Sequence, residues 1–276
     1  MYNKGKISSK QIKGENDMIK IEMTMRSAVL DMDCKLEMLL PENRKKTEDL
    51  RGKKYPVLYV LHGMKDDCSS WIDMSNIKLV CRDLDLIVVF PSVTNSSYAD
   101  MKYGYDYYTY VTEELPLKLK NYFPISDRRE DTFIMGESMG GYGTLKIALN
   151  NPDKYAKAVC LSGPNIVDFL DYDSKVTKAN FGSREEVEGS HNDLCKVVDD
   201  LKAYGGELPE LAFYCGTEDF VYEGCRKMAD YVKENLPAMR VEEGYWKGEH
   251  NFFFWNEAVP KALQFFGFEV KGNSII

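Results

Sequence analysis

Short, nearly unbroken apolar runs recur along the chain, and longer stretches of helical period separate them. The clearest runs are "YPVLYVLHG" (55–63), "DLIVVFP" (85–91), "DTFIMGE" (131–137), "AKAVCLSG" (156–163) and "LAFYCGT" (211–217). Continuous apolar runs rich in β-branched residues suit strands covered on both faces better than strands with one wet face. Apolar residues at helical spacing fill "SSWIDMSNIKLVCRD" (69–83), "YYTYVTEELPLKLKNYF" (107–123), "GGYGTLKIALNN" (140–151), "YEGCRKMADYVKENL" (222–236) and "NEAVPKALQFFGF" (256–268). The alternation predicts an α/β fold with a mostly parallel central sheet and helices on both faces. Pro116 lacks the N–H that an interior helical position donates, so the second of these helices is expected to kink or split there.

Ahead of the alternation, "IKIEMTMRSAVLDMDCKLEMLLP" (19–41) reads as an antiparallel hairpin leading into the sheet. No internal repeat and no linker rich in Pro, Gly or Ser marks a second domain. The pattern therefore predicts one domain over 18–270 behind a polar extension, 1–17. Residues 165–205 break the rhythm, being too long for a simple crossover, and are expected to form a small cap-like insertion.

Composition narrows the partners. A chain of 276 residues with 44% hydrophobic content can bury one large core. The formal charge of −8 is spread without a basic block, which argues against nucleic acid and anionic membranes as partners. No stretch approaches the ~20 apolar residues that span a bilayer, and the polar opening does not resemble a secretory signal, so the expectation is a cytoplasmic protein. Seven scattered cysteines without a C-x-x-C pair argue against a disulfide framework or structural zinc, and most read as small apolar fillers. Asn95-Ser96-Ser97 formally matches a glycosylation acceptor, but without a secretory signal it carries little weight.

The chemistry concentrates around "GESMGGYG" (136–143). Ser138 follows an apolar strand directly and opens a helix, with Gly136 and Gly140 leaving room for a tight turn, the G-x-S-x-G nucleophile elbow. Gly141 and Gly143 would let the helix lie close to adjacent strands. A serine hydroxyl is a weak nucleophile and needs a base and an orienting acid. Of three histidines, His250 in "WKGEHNFFFW" alone follows both Ser138 and a candidate acid; His191 reads as a solvated loop residue. The acid is expected at the strand end "LAFYCGTEDF", where Asp219 is preferred and Glu218 is the alternative. Ser138, Asp219, His250 is the nucleophile–acid–histidine order of α/β-hydrolases. The backbone N–H of Met139 and, after the strand ending at His62-Gly63, that of Met64 are the expected oxyanion donors. His62 is expected to orient that loop or to touch substrate, and Trp71 and Tyr103 are further candidates for substrate contact, although aromatics at helical spacing more often serve core or interface.

"LHGMKDDCSSW" (61–71), "MKYGYDYYTYVTEELP" (101–116), "GESMGGYG", "CGTEDF" (215–220) and "GEHNFFFW" (248–255) together resemble the tributyrin esterase-like group. That group belongs to the branch of α/β-hydrolases that includes esterase D, S-formylglutathione hydrolases, and acetylxylan and feruloyl esterases. The likeness runs from about residue 18 to about 268. It implies a serine carboxylesterase acting on short acyl esters, among them acetyl or feruloyl groups on plant-derived sugars, and favours Asp219 over Glu218. The alternatives it leaves are a thioesterase of the S-formylglutathione hydrolase type and a non-catalytic binding protein on the same scaffold. A small-molecule ester is the implied partner, no metal or organic cofactor is required, and a homo-oligomer stays open. Relatives often carry further glycines after His62-Gly63, where this chain has Met64-Lys65-Asp66-Asp67.

Overall fold

The computed structural model describes residues 17–42, 51–167 and 169–270. The polar extension expected over 1–17 lies outside them apart from Asp17. Eight strands form one sheet: β1 (Asp17–Ser27), β2 (Met32–Glu42), β3 (Val57–Leu61), β4 (Ile87–Pro91), β5 (Thr132–Glu137), β6 (Lys157–Leu161), β7 (Glu210–Gly216) and β8 (Val241–Trp246). Their spatial order is β1-β2-β4-β3-β5-β6-β7-β8. β1, β2 and β4 pair antiparallel, and every pair from β4 across to β8 is parallel.

The continuous apolar runs are explained by this placement. Val57, Tyr59 and Leu61 of β3 pack into one core layer, while Leu58 and Val60 pack into the other. The first layer is covered by α3 (Tyr107–Thr109), α4 (Leu115–Tyr122) and α5 (Met139–Asn150), together with the later α8 (Leu194–Leu201) and α9 (Tyr222–Asn235). The second is covered by α1 (Ser70–Met74), α2 (Ile77–Cys81) and α10 (Phe252–Phe266). Neither face of the central strands touches water, so period-2 alternation has no role there.

The helix around Pro116 divides into two α-helical pieces, with the break falling just ahead of the proline rather than at it. A π-helical turn over Tyr110–Glu114 joins α3 to α4, and the proline falls in the first turn of α4, where a missing donor costs least. The Thr112 carbonyl, four residues before the proline, accepts from Lys154 Nζ at 3.3 Å. Glu114 ties this helix to the hairpin: its carboxylate accepts from Ser27 Oγ and, at 2.7 Å, from the Ala28 amide. Burial raises the Glu114 carboxyl, but Lys118, Ser27 and the amides of Ala28 and Val29 outweigh it and hold it down at about 2.

The segment over 165–205 carries α6 (Lys175–Asn180), α7 (Arg184–Val187) and α8. Only its beginning faces the cleft described below; α8 packs beside the sheet against α5 and α9. Among the described residues no helix is long and apolar enough to cross a membrane.

Candidate active site

β5 runs into α5 with a single residue between them, Ser138, at φ 54° and ψ −118°. That φ crowds an L side chain, and it persists because neighbours over-determine it. The Ser138 amide donates to the Leu161 carbonyl of β6 at 2.9 Å, and the Tyr142 amide donates to the Ser138 carbonyl at 3.0 Å. A Cβ on Gly140 would collide with the carbonyls of Leu61 and His62, and one on Gly136 would sit 2.5 Å from the Gly140 carbonyl oxygen. The strain therefore rests on the serine itself, while the two glycines allow β3, β5 and α5 to converge.

His250 lies in the loop between β8 and α10. Its Nε2 is 2.8 Å from Ser138 Oγ, and its Nδ1 is 2.9 and 3.0 Å from Asp219 Oδ2 and Oδ1. The imidazole sits between Phe220, with ring centroids 4.6 Å apart, and the edge-on Trp255 at 5.2 Å. Asp219 follows β7 and is buried. Burial raises its carboxyl, but His250, the Val221 amide (3.0 Å) and the Ser162 hydroxyl outweigh it, so it stays below the usual carboxylate range. Glu218 faces outward, 3.8 Å from Lys247 Nζ. Of the two carboxylates in "GTED", only Asp219 reaches His250.

The two residues whose amides are expected to receive the oxyanion, Met139 and Met64, both line the cleft beside Ser138. Met139 is the first residue of α5, where an amide has no intrahelical acceptor and the helix dipole favours negative charge. In the loop after β3, the Gly63 amide donates to the Glu137 carboxyl and the Lys65 amide to Asn95 Oδ1 at 2.7 Å. Between them, the Met64 amide makes no hydrogen bond among the described residues. The cleft beside Ser138 measures about 320 Å³, with Met64, Met139, Ile166, Phe169 and Phe220 on its walls and Lys65 also lining it.

The expected substrate contacts need correction. His62 is 1% exposed; its Nε2 accepts from the Val93 amide at 3.1 Å, so Nδ1 carries the hydrogen and donates to the Gly63 carbonyl at 2.7 Å. Burial lowers its basicity further, leaving a neutral brace for the loop. Trp71 is equally buried, its Nε1 bound to the Leu61 carbonyl at 3.1 Å. Tyr103 stands 70% exposed, and none of the three lines the cleft. His191 lies tilted against Tyr108, with ring centroids 5.7 Å apart.

Two residues went unread. Ser162, also at positive φ (53°), accepts from Trp255 Nε1 at 3.2 Å while supporting Asp219. Its signal was the Ser-Gly pair ending the run "AKAVCLSG". Glu137 stood inside the elbow motif itself; it is 1% exposed, and burial, with Asp66 nearby, pushes its carboxyl well above the usual range.

A mostly parallel sheet that presents a strained serine after β5, a carboxylate after β7 and a histidine after β8 defines an α/β-hydrolase with a nucleophile elbow. The chain belongs to the esterase family: the family model described as "Putative esterase" matches residues 27–188. Among curated relatives, an acetyl esterase from Caldicellulosiruptor saccharolyticus is 27% identical, over 88% of this chain and 96% of that protein. Among solved structures, Staphylococcus aureus FphF, a fluorophosphonate-binding serine hydrolase, superposes with a TM-score of 0.82 at 30% identity, covering 92% of this chain and all of that one. The S. aureus S-formylglutathione hydrolase FrmB gives 0.80 at 30% identity, covering 90% and 98%. The protein is a serine esterase, a carboxylic ester hydrolase.

Proposed function

We propose that Ser138 is the nucleophile, His250 the general base and acid, and Asp219 the orienting carboxylate of a short-chain carboxylesterase. The observation that carries this reading is the unbroken relay from Ser138 Oγ through both imidazole nitrogens to Asp219, built on an elbow strained at the serine. With Nδ1–H donating to Asp219, Nε2 is free to take the serine proton. The alkoxide attacks the ester carbonyl, the amides of Met139 and Met64 receive the oxyanion, and His250 returns the proton to the departing alcohol. Water then repeats the sequence on the acyl-enzyme, so neither metal nor organic cofactor is needed.

The apolar walls and modest volume of the cleft suit a short acyl chain, with acetyl esters favoured by the similarity to an acetyl esterase. Feruloyl groups on plant-derived sugars remain a second ester class for the same machinery. The similarity to an S-formylglutathione hydrolase supports a competing reading, in which the leaving group is a thiol. We read the protein as acting inside the cytoplasm on small soluble esters.

Ser138→Ala tests the assignment. It is expected to lower kcat by about 10⁴- to 10⁶-fold on acetyl, butyryl and octanoyl nitrophenyl esters while the fold persists. Residual turnover near wild type in a folded variant removes Ser138 from the mechanism. Methyl ferulate, acetylated xylo-oligosaccharide and formylglutathione in the same panel separate the ester readings from the thioester one.

A further inference from the structure

The loop that follows β4 is held in an unusual way. Thr94, Ser97 and Tyr98 all have positive φ (53°, 54° and 51°), a conformation each of these side chains resists. Asn180, the last residue of α6, grips this loop from outside. It is 2% exposed, and its Nδ2 donates to the Asn95 carbonyl at 2.7 Å and to Ser97 Oγ at 3.1 Å. Its Oδ1 has no partner among the described residues, so those two donations are the side chain's whole polar role. The helix end is docked in turn, with the Lys102 amide donating to the Asn180 carbonyl at 3.0 Å and the Tyr103 amide to Ala179 at 2.9 Å.

From the gripped loop the connection runs straight to the oxyanion donor. Asn95 accepts the Lys65 amide, and Tyr98 Oη donates to the His62 carbonyl at 2.9 Å. Together with Glu137 on the Gly63 amide, these contacts pin the backbone on both sides of the Gly63–Met64 peptide. A peptide plane fixed at both neighbours has little freedom to turn its N–H.

We propose that Asn180 is a positioning residue for ester hydrolysis: acting through Asn95, it holds the loop that presents the Met64 amide to the developing oxyanion. The α6 part of the insertion is thus a brace on the catalytic loop, standing away from the cleft. The proposal rests on the reading of Met64 as an oxyanion donor. A displacement of order 1 Å at such a donor is enough to cost about 10- to 100-fold in rate.

The test uses the full chain. Asn180→Ala and Asn95→Ala are expected to lower kcat on a butyryl ester by about 10- to 100-fold with KM within about twofold. Their affinity for butylboronic acid, which forms a tetrahedral adduct on the serine, is expected to fall in step. Asn95→Asp keeps an acceptor for the Lys65 amide and is expected to recover most of the loss. The double variant Asn95→Ala/Asn180→Ala is expected to lose no more than the worse single one, because both act on one path. If Asn180→Ala does not fold, the contrast between Asn95→Ala and Asn95→Asp decides. A raised KM with unchanged kcat, or Asn95→Asp as slow as Asn95→Ala, overturns the proposal. Unaffected Asn180→Ala and Asn95→Ala beside an inactive Ser138→Ala overturns it alone, whereas an active Ser138→Ala overturns the parent reading.

Discussion

At the carboxyl edge of the parallel strands, Lys65 after β3, Thr94, Ser97 and Tyr98 after β4, Ser138 after β5 and Ser162 after β6 all hold positive φ. At the amino edge of the same strands no non-glycine residue does so among the described residues; Asp31, the remaining case, lies in the turn between β1 and β2. The polar groups differ as well. The carboxyl edge buries Glu137, Asp219, His62, Ser162 and Asn180, whereas the amino edge carries surface pairs such as Lys53 with Asp85 (2.9 Å) and Arg240 with Glu210 (2.7 Å). Each strained residue costs on the order of 1–2 kcal/mol, and a whole domain holds only about 5–15 in reserve. One edge is therefore shaped for function and held by cross-linking hydrogen bonds, while the other follows local preference.

The sharpest way to break this comparison is Asp219→Asn beside Glu218→Gln. The first is expected to lower kcat by about 10⁴-fold, because the histidine tautomer is lost, and the second to stay within about twofold in steady-state assays on a short ester. Equal losses in the two variants remove Asp219 from its special place. Next in size is Gly140→Ala, whose methyl meets the carbonyls of Leu61 and His62. It is expected to destabilise the fold by about 1–3 kcal/mol in urea titration and to cut kcat more than tenfold, since it pries the elbow from the loop after β3. Wild-type turnover in that variant means the approach is looser than described. The smallest effect belongs to the amino edge: Asp131, bound by Ser126 Oγ at 2.5 Å and by Arg128 at 2.8 Å, is expected on change to Ala to lose about 1 kcal/mol with kcat/KM unchanged. A fall in kcat/KM there erases the distinction between the edges.

Much of the fold was legible because the central strands are buried on both faces, so their runs stand out against helical spacing. The hairpin over β1 and β2 was legible for the opposite reason, its regular alternation. Pro116 signalled that the helix would divide, but no local pattern announces that the break is a π-helical turn placed just ahead of the proline. In the candidate site, Ser138 and His250 follow from motif and chain order. The choice between Asp219 and Glu218 depends on which of two adjacent carboxylates turns inward. The expectation that His62 orients its loop agrees with its hydrogen bonds, whereas Trp71 and Tyr103 were drawn toward substrate by residue type, and burial makes the first a backbone anchor while exposure leaves the second outside the cleft.

Sequence by itself determined the alternation of strand and helix, the elbow and the order of the chemical residues, because these are local patterns or matters of chain order. Sequence already favoured Asp219 over Glu218, and the fold brings Asp219 to the imidazole; tertiary structure alone decided which amide in 63–65 is left without a partner, and how Ser162 and Asn180 enter the network. The physical reason is reach: Asn180 lies 85 residues from Asn95, and His250 lies 112 from Ser138. Hydrogen bonds at such separations exist only after the sheet has brought its strand ends together.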